Sequence, residues 1–404
     1  MPILPPNRLS ISPDRLFALL ALSTAVGQGA LHIVLPALGE IARDFDVSFG
    51  VAQLTVSVSM LAMAAMTVVA GPLADIFGRR PVFLGGLILF LAGSMAATIS
   101  PTIFFVIAGR IVQSAGGVIF LVLGRTILRD LYEGPVVAKA VAFLVIGQVI
   151  GSALSPVIGS LIIVAGSWRW VLGFTVAMGA VMLVFAAINL QETRSKEIEF
   201  SSSKFWKITR TLLKRPDFWA AALIGSVTMS MFFSIISSGS WAVSEKFGLN
   251  PIYYAYLMLA LSAFFIVGNF LSGRFVERIG LLPLLSIGST GIVASAAAFW
   301  IVIGADAALW VYLLPGSLFA LANGFVLANS VALAIGIEPQ AAGTASGIAV
   351  LCQLGLAAIV SQFAGNLLPT HGLIALAIIL VICAAAVVLL LAVLLRRSVI
   401  PKIP

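Results

Sequence analysis

Two short groups of charged and amide side chains interrupt an otherwise apolar chain. In the first, Asp75 is followed by Arg79 and Arg80 in a loop between two apolar runs that are each long enough to cross a bilayer. Gly71 and Gly78 flank the carboxylate and permit close packing of the helix ends. An unpaired carboxylate at a membrane edge is costly, so Asp75 is predicted to have cationic or helix-N-terminal partners and to act in gating.

The second group lies within predicted spans. Arg110 and Gln113 are three residues apart and Gln28 and His32 are four apart, so each pair shares a helix face. Intramembrane ionisable residues are usually functional, which favours Arg110 as a cavity charge that binds an anionic group or modulates a proton site. The alternative is an arginine held by helix carbonyls. His32 is either a proton carrier or a neutral, hydrogen-bonded histidine. Gln28 and Gln113 are each predicted either to contact substrate or to form hydrogen bonds between helices.

The second half of the chain offers milder candidates. Phe232, Trp241 and Tyr254 are predicted to form an aromatic wall, or else to lie in the interfacial belt. Asn323 is a candidate hydrogen-bonding group for a ligand or between helices. The sequence contains no cluster with metal-ligand spacing and no nucleophile motif, so neither a metal, a cofactor nor an enzymatic activity is predicted.

The composition points to a membrane protein. Of the 404 residues, 61% are hydrophobic and only 9% are charged, with a mean hydropathy of +1.15. A soluble domain has too little interior to bury that much apolar surface. The net charge of +8 comes from basic residues spread over short loops without a patch or motif, which argues against a nucleic-acid partner.

Apolar run lengths predict an all-α integral membrane fold with twelve spans. The Asp75 loop has a weaker copy at Gly273–Gly280, and Glu133 and Glu338 occupy corresponding links, so two pseudo-symmetric six-helix halves are expected, with a binding site between them. The predicted domains are 1–190, a basic cytoplasmic linker 191–216 and 217–404. The predicted spans are 15–37, 52–72, 81–100, 103–126, 137–164, 168–190, 217–242, 252–272, 281–303, 307–334, 342–367 and 371–395.

The basic residues also predict orientation. Of the 23 Lys and Arg residues, all but Arg43, Arg110, Arg169 and Lys246 fall on the side of the termini and the linker. By the positive-inside rule both termini are cytoplasmic. Within the linker, the aromatic residues at 205 and 206 suggest a helix in the interface.

Four motifs carry a family resemblance. Gly71–Arg80 resembles the loop motif between the second and third helices of the major facilitator superfamily. Gly109–Gly116 resembles the fourth-helix motif of its proton-coupled drug antiporters, and Arg125–Leu131 the end of that helix in bicyclomycin- and chloramphenicol-resistance-type exporters. Gly151–Ser160 is placed like the fifth-helix antiporter motif. The order of these motifs is similar to that of twelve-helix drug:proton antiporters along essentially the whole chain.

The resemblance implies an inner-membrane exporter that alternates between inward and outward openings and moves a small organic substrate against protons. It places Asp75, Arg79, Arg129 and Asp130 in one cytoplasmic gating network. It also assigns helix packing and bending to Gly151, Pro156 and Gly159, together with the loop glycines Gly71 and Gly78. A monomer surrounded by lipid is expected.

One departure from the pattern concerns the substrate. Similar exporters carry an acid four positions before a proline in the first helix, where this chain has His32 before Pro36. Because no carboxylate is predicted deep in any span, neutral or anionic substrates are favoured over cations. A facilitator or symporter for a metabolite, siderophore or nutrient is the alternative, and a polytopic membrane enzyme is a remote one.

Overall fold

The computed structural model describes residues 13–132, 135–194, 209–338 and 342–399. Glu133, which supported the internal repeat, and residues 205 and 206 of the predicted interfacial helix lie outside these ranges, as does most of the predicted linker. The described residues contain twelve helical segments long and apolar enough to cross a membrane. The predicted count and fold class are confirmed.

Helices dominate because a backbone inside lipid must satisfy its own hydrogen bonds. The described helices have the following bounds: α1 Pro13–His32, α2 Leu38–Asp44, α3 Phe49–Phe77, α4 Arg79–Thr98, α5 Ile103–Leu131, α6 Pro135–Ala165, α7 Trp168–Asn189, α8 Pro216–Trp241, α9 Ile252–Ile279, α10 Leu281–Gly304, α11 Leu313–Gly336, α12 Ala342–His371 and α13 Leu373–Val399.

The first span is longer than predicted and is broken by Pro36. Proline lacks an N–H and its ring clashes with the carbonyl four residues earlier, which here belongs to His32, the last residue of α1. A 3₁₀ turn at Leu35–Ala37 then leads into α2. The first span therefore covers Asp14–Asp44. The predicted span ended at residue 37 and so excluded Glu40.

The turns after α3 and α9 share one backbone feature. Gly78 and Gly280 have φ angles of 99° and 88°, in a region that favours glycine. Each residue ends one helix and directly precedes the next, so both links are as short as the sequence repeat predicted.

The chain divides into two compact units, Met1–Ile198 with Asn250–Ala255, and Glu199–Leu249 with Tyr256–Pro404. In the first unit, α5 packs against α1, α3 and α4, α1 packs along α6, and α4 packs against α7. A core cluster holds these helices together, including Phe83, Phe90 and Phe120.

In the second unit, α8 packs against α11, α12 and α13, and α10 packs against α11 and α13. Most of α8 is buried, including a series of hydroxyl side chains. Four of these hydroxyls donate to the carbonyl four residues earlier at 2.7 to 2.8 Å, namely those of Ser226, Thr228, Ser230 and Ser234. Such bonds satisfy a buried hydroxyl without a partner helix.

Candidate functional site

Arg110 lies at the centre of the first unit and is fully buried. Its Nη1 donates to the Ala30 carbonyl of α1 at 2.8 Å and to the Gln113 side chain, and its Nε donates to the Thr55 carbonyl of α3 at 3.4 Å. Nη2 has no hydrogen-bond partner among the described residues. The guanidinium thus joins three helices through neutral oxygens, and none of the described carboxylates forms an ion pair with it.

Gln113 extends this network to two more helices. Its Nε2 donates to Ser94 of α4 at 2.6 Å and to Thr175 of α7 at 2.8 Å. Both hydroxyls in turn donate to carbonyls of their own helices. Gln113 is itself fully buried, so in this structure its side chain joins helices.

The substrate preference that was predicted from Arg110 needs correction. That preference required the arginine to present its charge to a cavity, whereas the side chain is enclosed and held by carbonyl and amide oxygens. The structure therefore matches the alternative of an arginine held by helix carbonyls. It gives no support for an anionic substrate.

His32 and Gln28 lie on the same face of α1, as their spacing predicts. His32 is buried, and its Nδ1 lies 3.1 Å from the Gln28 carbonyl. A carbonyl oxygen only accepts, so Nδ1 carries the proton and Nε2 is the atom that can gain or lose one. The Gln28 side chain is half-buried and remains a candidate for substrate contact.

Glu40 is a candidate that the sequence analysis placed outside the membrane. It lies on α2, within the extended first span, and its Oε2 is buried without a hydrogen-bond partner among the described residues. The charges that act on it are those of Arg43, Asp44 and Arg169. The proline break could have signalled this carboxylate, because a helix that resumes after Pro36 extends the first span past residue 40.

The structure brings Asp75, Arg79 and Asp130 together at the end of the first unit. Arg79 Nη1 lies 2.5 Å from Asp75, and its Nε lies 2.9 Å from Asp130. The Arg79 side chain is only 7% exposed, whereas that of Asp75 is 61% exposed. One buried guanidinium therefore links the end of α3 to the end of α5, leaving most of the Asp75 carboxylate accessible.

Glu192, just after α7, completes this cluster and was missed in the sequence. It accepts the backbone N–H groups of Arg79, Arg80, Thr193 and Arg194 at 2.9 to 3.2 Å. Burial opposes the charged form, but these four donors hold the pKa of Glu192 below its usual range. The carboxylate satisfies the orphan N–H groups at the start of α4.

Two predicted members of this region behave differently. Arg129 is exposed and forms none of these ion pairs within the described part of the chain. Its membership of the gating network stays a prediction. A Cβ added to Gly71 would meet no described atom within 4 Å, so close packing does not require a glycine there.

The small residues of α6 pack against the backbone of α1. A Cβ on Gly147 would lie 2.6 Å from the Ala21 carbonyl, and Cβ atoms on Gly151 and Gly159 would likewise collide with carbonyls of the first span. Ser155, which replaces a glycine of the motif, donates to the Gly151 carbonyl. Pro156 lies within the same helix. Close approach of the two helices therefore depends on these positions.

A second charged cluster lies at the opposite end of the first unit. Asp44 accepts from Trp168 Nε1 at 3.0 Å and from Arg169 at 2.7 Å. The Arg169 guanidinium stacks 4.2 Å from the Trp168 ring centroid and 5.7 Å from that of Phe45. These contacts tie the end of α2 to the start of α7.

The candidates of the second half lie in different units. Phe232 is half-buried with its ring edge-on to Phe233, and Trp241 is half-buried at the end of α8. Asn323 is buried, and its Oδ1 has no partner among the described residues. Tyr254 is buried too, and its segment groups with the first unit. A shared substrate wall therefore stays a prediction.

These features define a many-spanning helical membrane carrier with charged clusters at its helix ends. No group of three or more His, Cys, Asp or Glu in the described ranges could hold a metal ion. A profile of the Major Facilitator Superfamily matches residues 18–362. The chain belongs to this superfamily of membrane transporters.

Three curated relatives match over most of their length. An uncharacterized MFS-type transporter of Bacillus subtilis strain 168 is 25% identical over 86% of this chain and 87% of its own. Multidrug resistance protein D of Escherichia coli K12 is 26% identical over 82% and 84%. A bicyclomycin resistance protein homolog of Haemophilus influenzae is 24% identical over 83% and 85%.

The fold is similar to that of solved transporters. The xylose transporter XylE from E. coli, in a partially occluded inward-open conformation, superposes with a TM-score of 0.74. The alignment covers 96% of this chain and 98% of that one at 15% sequence identity. At this identity the similarity shows the fold alone.

Proposed function

We propose that this transporter exports small amphipathic organic molecules across a bacterial-type inner membrane in exchange for protons, by alternating access, with both termini in the cytoplasm. The observation that carries the proposal is similarity over more than four-fifths of the chain to proteins named for resistance to multiple drugs and to bicyclomycin. The four helix motifs support the same class of export.

Three features of the first unit fit this cycle. The Asp75–Arg79–Asp130 cluster provides ion pairs that can form or break as the cytoplasmic side closes or opens. The glycine contacts between α6 and α1 allow a tight, dry packing through which protons do not leak. The Arg110–Gln113 network keeps five helices of the unit in one arrangement, so that the unit can move as a rigid body.

Proton exchange needs a group that titrates inside the membrane. His32 offers its Nε2 at the end of α1, and Glu40 offers a carboxylate on α2 with a buried, unpartnered oxygen. Both lie next to the Pro36 break, where the first span changes direction. We assign the proton to this segment of the first span.

The test is uptake of ethidium into inside-out membrane vesicles that hold an imposed pH gradient. Export coupled to protons predicts accumulation that a protonophore abolishes. His32→Gln and Glu40→Gln are then compared. Glu245→Gln is the control, because it removes an exposed carboxylate just after α8, outside the first span. Ethidium entry that only equilibrates and is unchanged by the protonophore would support the facilitator alternative.

A further inference from the structure

A groove between α1 and α6 encloses a cavity with a volume of about 640 Å³. Asp14 and Phe17 line it from α1, and Val136 and Phe143 line it from α6, with three alanines between them. Known small-molecule sites have volumes of about 300 to 1,000 Å³ and mostly apolar walls with few polar groups. The groove has the size and lining of such a site.

The charge of this groove is negative. Among the described lining residues, Asp14 is the ionisable one, and none of the described basic groups forms an ion pair with it. The helix macrodipole, which is equivalent to roughly half a positive charge at the helix N-terminus, stabilises an acid in the first turn. The full charge of the carboxylate exceeds that half charge, so a negative potential remains at this end of the groove.

Aromatic rings add to the attraction for a cation. Phe17 of α1 and Phe143 of α6 both line the groove, and the centroid of the Tyr132 ring lies 5.4 Å from that of Phe17. The Tyr132 hydroxyl is buried and has no hydrogen-bond partner within the described chain. Burial, and then the negative charge of Asp14, raise the pKa of Tyr132, so Tyr132 lies near the carboxylate as well as near Phe17. A cation beside aromatic faces and a carboxylate is stabilised by both.

We infer that the α1–α6 groove binds amphipathic organic cations, with the apolar part between Phe17 and Phe143 and the positive charge towards Asp14. The inference names a substrate class for the proposed export and rests on that proposal for its role in transport. It differs from the preference for neutral or anionic compounds, which was predicted because no carboxylate was expected deep in any span. The positive charge of Arg110 is enclosed elsewhere in the unit.

Two ions of the same size and shape but opposite charge test the groove. Tetraphenylphosphonium and tetraphenylborate are titrated against the purified full-length protein by equilibrium dialysis, with protein-free micelles subtracted. The phosphonium is expected to bind more tightly. Asp14→Asn should weaken phosphonium binding about three- to tenfold and leave borate binding equal or stronger. Phe143→Ala should weaken the binding of both ions.

The matched control is Asp46→Asn, which removes an equal charge from an exposed site outside the groove. Asparagine also tolerates the φ angle of 52° at that position. Because Phe143 is about half exposed, its substitution should leave the fold intact, which thermal unfolding checks. Equal affinity for the two ions, or phosphonium binding that is unchanged in Asp14→Asn, would overturn the inference and indicate a groove for lipid chains or neutral molecules.

Binding is measured here without transport, so two failures are distinguishable. Phosphonium that binds through Asp14 but is not moved by a pH gradient would leave this inference standing and contradict the proposed export. Proton-driven transport that is unchanged in Asp14→Asn would support the proposed export and contradict this inference.

Discussion

The Arg110 guanidinium donates to the side-chain oxygen of Gln113 one helical turn further along α5, and Gln113 passes the hydrogen bonding on to Ser94 and Thr175. A buried cation is costly unless hydrogen bonds surround it. The amide of Gln113 offers both an acceptor to the arginine and donors to the hydroxyls. The pair thereby fixes how α1, α3, α4, α5 and α7 pack together.

Replacing Gln113 with leucine tests this pair. Gln113→Leu leaves one N–H of Arg110 without its acceptor and removes the bonds that Ser94 and Thr175 accept, although both hydroxyls keep their own carbonyl acceptors. The protein should therefore lose about 1 to 3 kcal/mol of stability. Thermal unfolding of the purified protein measures the loss. Gln28→Leu is the control, because that glutamine is half-buried on α1 and should change stability little. Equal melting temperatures for the two variants would contradict a structural role for Gln113.

The Asp75–Arg79–Asp130 cluster predicts separate effects on transport and on stability. Asp75 is mostly exposed, and an exposed ion pair contributes only about 0 to 1 kcal/mol to stability. Asp75→Asn should therefore insert and fold normally but reduce transport about tenfold, since it alters the balance between two conformations. Arg129→Gln should transport like the wild type. Normal transport by Asp75→Asn in reconstituted vesicles would rule out the gate.

Glu192 predicts a dependence of stability on pH. The pKa of its carboxylate is lowered in the folded protein by four backbone donors. Its contribution is therefore complete above the unfolded value of about 4.3 and is lost as the pH falls through the lower folded value. The difference in melting temperature between the wild type and Glu192→Gln should shrink below about pH 4. A difference that stays constant from pH 7 to pH 3 would contradict this assignment.

The α1–α6 contact predicts opposite outcomes for two glycines in helices. Gly147→Ala places a Cβ 2.6 Å from the Ala21 carbonyl and should cost about 1 to 3 kcal/mol through overpacking. Gly85→Ala in α4 meets no described atom within 4 Å and should stabilise the helix by up to about 1 kcal/mol. Thermal unfolding of both variants, with transport measured in parallel, checks the contrast. Stabilisation by both substitutions would show that α1 and α6 are not in close contact.

Run length and the positions of glycine were enough to predict the twelve spans and the short turn at Gly78, because both depend on local properties of the chain. The approach of Asp75 to Arg79 is local too, since the two residues are one helical turn apart. Asp130 joins them from another helix, and its inclusion came from the family resemblance rather than from spacing.

What the sequence did not reveal depends on contacts between distant segments. The helical spacing placed Arg110 and Gln113 on one face but did not indicate that Ala30 and Thr55 would present carbonyls to that face. The span prediction stopped before Glu40 because spans were counted by the length of the apolar run. The groove at Asp14 was also missed, because it depends on the distance between α1 and α6, which the sequence does not reveal.

The direction of proton movement tests the account most directly. The purified protein is reconstituted into liposomes that contain a trapped pH-sensitive dye, and a tetraphenylphosphonium gradient is imposed without any pH gradient. Exchange predicts that protons move opposite to the cation, with a signal that is reduced in Asp14→Asn and retained in Asp46→Asn. Proton movement in the same direction as the cation, or cation flux with no proton movement in the wild type, would contradict the account.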